Sequence, residues 1–233
     1  MSALIEARGI WKVFRGGDGR PLEVLRGVDV DVHRGEVLAV VGASGAGKST
    51  LLHLLGALDF ASSGDVWLDG SRYADLDANA LAEIRNRKLG FVFQFHHLLR
   101  EFSALENVMM PLLIGGTSER EARSRAEEVL SEVGLAGRMT HRPAELSGGE
   151  QQRCAVARAL VHDPSLVLAD EPSGNLDHAN ADRLHELFFR LAREYETAVV
   201  VVTHNRQLAG RADRIHWLED GRLTAVSSVD AIP

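Results

Sequence analysis

Val37-Leu38-Ala39-Val40-Val41-Gly42-Ala43-Ser44-Gly45-Ala46-Gly47-Lys48-Ser49-Thr50 is the stretch on which the fold turns. Five apolar residues in succession, with no polar alternation, predict a strand buried on both faces, as in a parallel sheet. The run stops at Gly42, and a helix is expected from Lys48 to about Ala57. Between strand and helix, residues 42–50 fit the spacing G-x-x-x-x-G-K-[ST]. Glycines let successive backbone N–H groups converge into an anion nest. The following helix aims its positive end at the same place. In such a cradle Lys48 reaches the β- and γ-phosphates of a nucleotide, and the Ser49 hydroxyl ligates Mg2+. A Gly-rich turn without a ligand is the competing reading. The chain has only three lysines, Lys12, Lys48 and Lys88, so a chance match to the pattern is rare.

Working outward, Leu166-Val167-Leu168-Ala169 and Ala198–Val202 are two more short apolar runs that predict buried strands. The first ends in Asp170-Glu171. Charge at the tip of a buried strand is costly unless it is paired or bound to a metal. In an open α/β sheet those tips are where ligands bind. Beside a phosphate cradle, Asp170 is expected to hold Mg2+ and Glu171 to orient and polarise the water that attacks the γ-phosphate. A solvated strand end is the plain alternative.

The middle of the chain reads differently. Ala122, Ala126, Val129, Leu130 and Val133 recur at helical spacing, with Ser118 and Glu121 predicting a capping box. Ser103 with Glu106 predicts another helix start, and no strand is expected from about 95 to 161. Ala181, Leu184, Phe188, Leu191 and Tyr195 predict a further helix before the strand at Ala198. Gly16, Gly17, Asp18 and Gly19 read as a hairpin tip. The sum is a mostly parallel α/β core interrupted by a helical insert.

Composition narrows the function classes. At 233 residues, 45% hydrophobic and 25% charged, the chain suits a globular α/β protein of one large or two small domains. A net charge of −7 argues against a nucleic-acid binder. The single cysteine, Cys154, forms no internal disulfide, and its helical flanks predict a small core residue rather than a nucleophile. Residues 1–8 lack the basic start and apolar run of a signal peptide. The apolar runs fall far short of the roughly 20 residues that span a bilayer. A cytosolic protein is expected, with membrane contact only through partners. No metal is expected at His96-His97, whose side chains diverge with no Cys or acid at ligand spacing.

Leu146-Ser147-Gly148-Gly149-Glu150-Gln151-Gln152-Arg153 is the most specific element. Ser147 and Glu150 match a capping box. Glycines inside a first turn cost helix stability, which points to something approaching the helix start closely, and a bare helix start is a second anion site. With the 42–50 loop, Gln94 after a strand, Asp170-Glu171, Ser173-Gly174-Asn175-Leu176-Asp177 and His204 in this order, the chain resembles the ABC (ATP-binding cassette) ATPase family over nearly all its length.

The resemblance implies an α/β fold: a P-loop NTPase core, mostly parallel sheet with flanking helices, plus an N-terminal antiparallel β part and a helical insert. It implies one nucleotide-binding domain over 1–233, with the core at about 1–94 and 162–233 and a helical subdomain at about 95–161. The implied ligands are ATP and Mg2+, and the implied partner is a second copy packed head to tail. Gly42, Ala43, Ser44, Gly45, Ala46, Gly47, Lys48, Ser49 and Thr50 would then hold ATP, while Ser147, Gly148, Gly149 and Glu150 of the other copy cap its γ-phosphate. Gln94 would join Ser49 and Asp170 at Mg2+ and sense the attacking water. His204 would contact the γ-phosphate, and Asp177 would carry signals across the dimer. Phe14 stands where the family often has a Tyr that stacks on adenine; a core position in an N-terminal strand is its other reading. Ser173 stands where Thr is commoner, and no consequence is expected.

Gln94-Phe95-His96-His97-Leu98-Leu99, Leu105-Glu106-Asn107-Val108 and Pro111-Leu112-Leu113-Ile114-Gly115 look like the ATPase subunits of lipoprotein-releasing transporters, as does Gly174-Asn175-Leu176-Asp177. That resemblance implies a motor on the cytoplasmic face of the bacterial inner membrane, driving two homologous permease subunits. Phe95, Leu98, Leu99, Met109 and Met110 would line the groove that receives a short permease helix, with about half of them core instead. ATPases of macrolide-type efflux pumps, or of cell-division complexes that move no cargo, share the pattern. An ATPase acting on nucleic acid or ribosomes would carry two cassettes or a long coiled-coil insertion. A small-molecule kinase leaves residues 146–150 without a role.

Overall fold

Alternating side chains near the start of the chain build a long hairpin. Strand β1 (Ile5–Arg15) pairs antiparallel with β2 (Pro21–Val32). The computed structural model describes residues 3–17, 19–174 and 176–231. Gly16 and Gly19 close the hairpin tip, as expected, through Gly16 N–H to Arg20 O at 2.8 Å; Asp18 lies outside the described residues, and so does Asn175. Then follow β3 (Val37–Val41), α1 (Lys48–Leu55), β4 (Ser63–Leu68), the two-residue β5 (Ser71–Arg72), α2 (Ala78–Arg87) and β6 (Leu89–Phe93). The next stretch is helical: α3 (Ala104–Ile114), α4 (Glu119–Glu132) and α5 (Gly148–Leu160). The chain returns through β7 (Leu166–Asp170), α6 (His178–Tyr195), β8 (Ala198–Val202), the single-turn α7 (Arg206–Ala209), β9 (Arg214–Glu219) and β10 (Arg222–Val226).

Two sheets result. One is antiparallel in the order β2-β1-β4-β5; the other runs β10-β9-β3-β8-β7-β6 and is parallel except at β10. The two-residue period of a strand sends alternate side chains to opposite faces. Val37, Ala39 and Val41 of β3 join one apolar cluster with α3, α4, α5 and α6, while Leu38 and Val40 join another with α1, α2, β1 and β2. β7 and β8 divide the same way. Every residue of β3 and β8 is buried, so a continuous apolar run is what this position in the sheet demands. The helical stretch and the antiparallel sheet thus cover opposite faces of one parallel sheet.

Local signals explain most helix boundaries. Ser103 and Glu106 form a complete capping box, as do Ser147 and Glu150. The predicted box at Ser118 is only half formed. The Ser118 hydroxyl accepts from Glu121 N–H at 3.3 Å, but the Glu121 carboxylate takes that hydroxyl's proton at 2.6 Å rather than a backbone N–H. Cys154 is fully buried in α5, and burial pushes its thiol up to about 12, so it is an inert core residue. Along α6, Ala181, Leu184, Phe188 and Leu191 are buried as predicted, but Tyr195 is exposed. It is the last residue of the helix. Phe188→Ala should therefore lower unfolding stability by about 3–5 kcal/mol, and Tyr195→Ala by no more than about 0.5 kcal/mol, in paired denaturant titrations.

Candidate active site

The C-terminal ends of β3, β6, β7 and β8 open onto one cavity of about 610 Å³. From the loop after β3 it is lined by Ser44, Gly45, Gly47, Lys48, Ser49 and Thr50; from the other strand ends by Gln94, Asp170, Glu171 and His204; from the antiparallel sheet by Val24. Gly42, Ala43 and Ala46 form the loop without lining the cavity. A side chain at Gly42 would meet Leu218 O at 2.3 Å, so the loop sits hard against β9. Gly47, the residue before α1, has φ 103°, and a Cβ there would lie 3.0 Å from Val24. Only glycine fits both demands. The first turn of α1 carries no acid, so its positive end is not neutralised locally. Lys48 Nζ donates to Gly42 O at 2.9 Å and Ala43 O at 3.0 Å, which holds the ammonium across its own loop with one N–H left for a ligand.

Glu171 follows β7 directly and sits at φ 44°, a left-handed conformation that is disfavoured for a residue with a side chain and has to be held by its surroundings. Three contacts do so. Its Oε2 accepts from Thr203 Oγ1 at 3.1 Å and from His204 N–H at 3.3 Å, and its Oε1 lies 2.8 Å from His204 Nδ1. The carboxylate is 15% exposed and the imidazole 72%, so an anchored acid meets a ring that can swing. Asp170 ends β7 opposite Val202, and Gln94 directly follows its other neighbour, Phe93. Ser49, Gln94 and Asp170 present a hydroxyl, an amide and a carboxylate to one cavity. That all-oxygen set fits a hard divalent cation that keeps waters and shares nucleotide phosphates.

A second cluster stands at the start of α5. Ser147 and Gly148 are exposed there. The Glu150 carboxylate receives Arg138 Nε, Ser147 N–H and the Ser147 hydroxyl, each at 2.8 Å. Arg138 first, then Ser147, hold Glu150 down to about 2. Asp177 caps α6 by accepting from Asn180 N–H at 2.9 Å and from the Asn180 amide at 2.8 Å. Asn180 in turn accepts from Arg153 at 3.0 Å, which draws the two helix starts together. None of Ser147, Gly148, Gly149, Glu150 and Asp177 lines the cavity. Phe14 does not line it either, and the core reading of Phe14 is wrong. The ring is 40% exposed near the hairpin tip, with Lys12 Nζ 4.8 Å from its centre.

Three contributors escape a reading of the sequence. Val24 reaches the loop only because the antiparallel sheet folds back on it. Thr203 announces itself weakly, as a polar residue between an apolar strand and His204. Arg158 of α5 donates to His97 O at 2.7 Å and His96 O at 2.8 Å, clamping the segment after Gln94. Beyond that clamp Phe95 and Leu99 are exposed, Leu98 and Met110 are half-buried and Met109 is core.

The ABC transporter family model matches residues 25–174. The chain belongs to the ABC transporter family. It is an ABC-type ATPase of the ATP-binding cassette fold. The lipoprotein-releasing system ATP-binding protein LolD of Porphyromonas gingivalis is 54% identical over 220 residues, which cover 94% of this chain and 98% of that protein. LolD of Geobacter metallireducens is 53% identical over 225 residues, 97% of this chain and 100% of that one. Among solved structures, the dimeric bacterial ABC transporter cassette MJ0796 superposes with a TM-score of 0.88 at 39% identity, covering 94% of this chain and 96% of that one. Its dimeric post-hydrolysis state, bound to ADP and Pi, matches with the same TM-score at 38% identity.

The Glu150 contacts carry a pH signature. A carboxylate whose folded value is about 2 against an ordinary 4.5 adds stability above the ordinary value and loses it as pH falls toward the folded one. Glu150→Gln should unfold at lower denaturant than the parent at pH 7, and the gap should shrink as pH drops through that window. A gap independent of pH would show that the Arg138 and Ser147 contacts contribute nothing.

Proposed function

We propose that the chain is the ATP-hydrolysing motor of a transporter that releases lipoproteins from the bacterial inner membrane. The observation that carries this reading is identity above half, over nearly the full length, to two proteins named for that release. In this reading two copies pack head to tail, and 1–233 acts as a single nucleotide-binding domain with its core at about 1–94 and 162–233 and a helical subdomain at about 95–161. The motor is peripheral, on the cytoplasmic face, and drives two homologous permease subunits. Among the described residues no helix is long and apolar enough to cross a membrane, and in this reading contact with the bilayer goes through those partners.

The chemistry is positioning and electrostatics. The 42–50 loop amides and the remaining N–H of Lys48 bind the phosphates of ATP, and Phe14 offers its exposed ring to the adenine. Ser49, Gln94 and Asp170 hold Mg2+, which when bound neutralises phosphate charge. Glu171, with both oxygens directed by Thr203 and His204, orients the attacking water and accepts its proton. His204 turns from Glu171 to the γ-phosphate, a swing its exposure permits. Ser147, Gly148, Gly149 and Glu150 of the second copy close over that phosphate, and Asp177, tied to Arg153 through Asn180, reports closure across the interface. Phe95 and Leu99 offer the apolar surface for a permease helix, held in place by Arg158.

Affinity capture of the tagged chain from detergent-solubilised membranes of its host, followed by mass spectrometry, tests the reading. Two homologous permease-like membrane proteins, with lipoproteins attached, are expected. A single division-type scaffold, a pump with a large periplasmic domain, or no membrane protein at all would overturn lipoprotein release.

A further inference from the structure

His185 sits on the buried side of α6, 1% exposed, among Ala181, Leu184, Phe188 and Phe189. Packing alone would be served there by another apolar residue. A buried imidazole is costly unless its nitrogens find partners. One does: Nε2 lies 3.1 Å from Oγ of Ser173, which is itself 8% exposed. Nδ1 has no partner among the described residues. None of the chemistry described above uses either side chain.

Ser173 stands two residues after Glu171, inside the turn that leads away from it. Gly174 N–H bonds to Glu171 O at 3.1 Å, and Leu176 N–H bonds to Ser173 O at 3.1 Å, so Ser173 belongs to two successive turns. Its neighbours Pro172 and Gly174 have no side chain that can hydrogen-bond, which leaves Ser173 as the side-chain anchor between Glu171 and Gly174. Glu171 needs such an anchor. On its strand side it is tied by its N–H to Val202 O at 2.9 Å and by Thr203 and His204. On its other side the chain must hold a left-handed Glu171 against relaxation.

The asymmetry of the ring selects its tautomer. If Nε2 were the bare acceptor, Nδ1 would carry a proton into a buried place with no acceptor, and orphaned buried donors are rare. If Nε2 carries the proton, only a lone pair at Nδ1 goes unused. Burial also lowers the imidazole below its ordinary value and keeps it neutral.

We infer that His185 is a positioning residue for hydrolysis: its Nε2–H donates to Ser173 and so holds the turn that aims the Glu171 carboxylate. This rests on Glu171 being the base. The test is steady-state ATP hydrolysis by the purified full chain. His185→Phe keeps an aromatic ring and deletes the bond, and Ser173→Ala removes a single oxygen. Each should lower kcat about tenfold with KM for ATP changed less than about twofold, because the turn aims the base and does not hold the nucleotide. The double variant should be no slower than the slower single one. His185→Gln, whose amide can donate to the same oxygen, should restore most of kcat. Should His185→Phe fail to fold, Ser173→Ala carries the comparison. If the single variants keep wild-type kcat, or if their losses multiply in the double, the inference is wrong. Glu171→Gln in the same assay separates the two levels. Hydrolysis lost in Glu171→Gln but retained in the His185 and Ser173 variants overturns the positioning role alone. Wild-type hydrolysis by Glu171→Gln overturns the base and the positioning role with it.

Discussion

Burial of β3, β7 and β8 on both faces is the constraint from which the rest follows. β3 and β8 are buried throughout, and β7 is buried except at its last residue, the half-buried Asp170. A strand in that environment cannot carry an unpaired polar side chain along its length. Polar chemistry is therefore pushed to the strand tips, and the parallel arrangement puts those tips at one end of the sheet. Lys48, Asp170, Glu171 and His204 meet there although 156 residues of sequence separate the first from the last. The left-handed Glu171 is the local expression of this: the chain leaves a fully buried strand and at once has to turn a carboxylate toward the cavity.

The helical stretch is joined to the same sheet. Its apolar side chains from α3, α4 and α5 share one cluster with the inward residues of β3, β7 and β8. α5 carries Ser147 at its exposed start, Arg153 bonded to Asn180 one and a half turns on, and Arg158 clamped to His96 and His97 further along. One helix thus reaches the exposed Ser147, the start of α6 and the segment after Gln94. A shift of α5 would be felt at all three places.

Where local chemistry decides, the sequence is legible. Short unbroken apolar runs fall on β3, β7 and β8, the glycine spacing before Lys48 falls on the phosphate loop, and Ser-x-x-Glu marks the starts of α3 and α5. It misleads where the outcome depends on what packs above a residue. Tyr195 keeps the helical period but stands exposed at the helix's last residue, and Phe14 stands exposed next to the last residue of its strand. Ser118 has the right partner at the right spacing, yet its hydroxyl proton and not the backbone N–H captures Glu121. Val24 and His185 are invisible for the same reason, and Thr203 shows only weakly: each matters through a neighbour distant in sequence. Ser173, from which no consequence was expected, gains a role only once α6 brings His185 against it.

In the proposed mechanism the tips of the parallel strands form one nucleotide site with Lys48 as its cation. Equilibrium binding of Mg-ATP to the full chain and to Lys48→Ala tests it most directly. The wild-type chain should bind, and the variant should lose affinity by at least about tenfold, the cost of removing a charge-assisted hydrogen bond. Equal affinity in the two proteins would mean that the phosphates lie elsewhere and that the cavity is not the site.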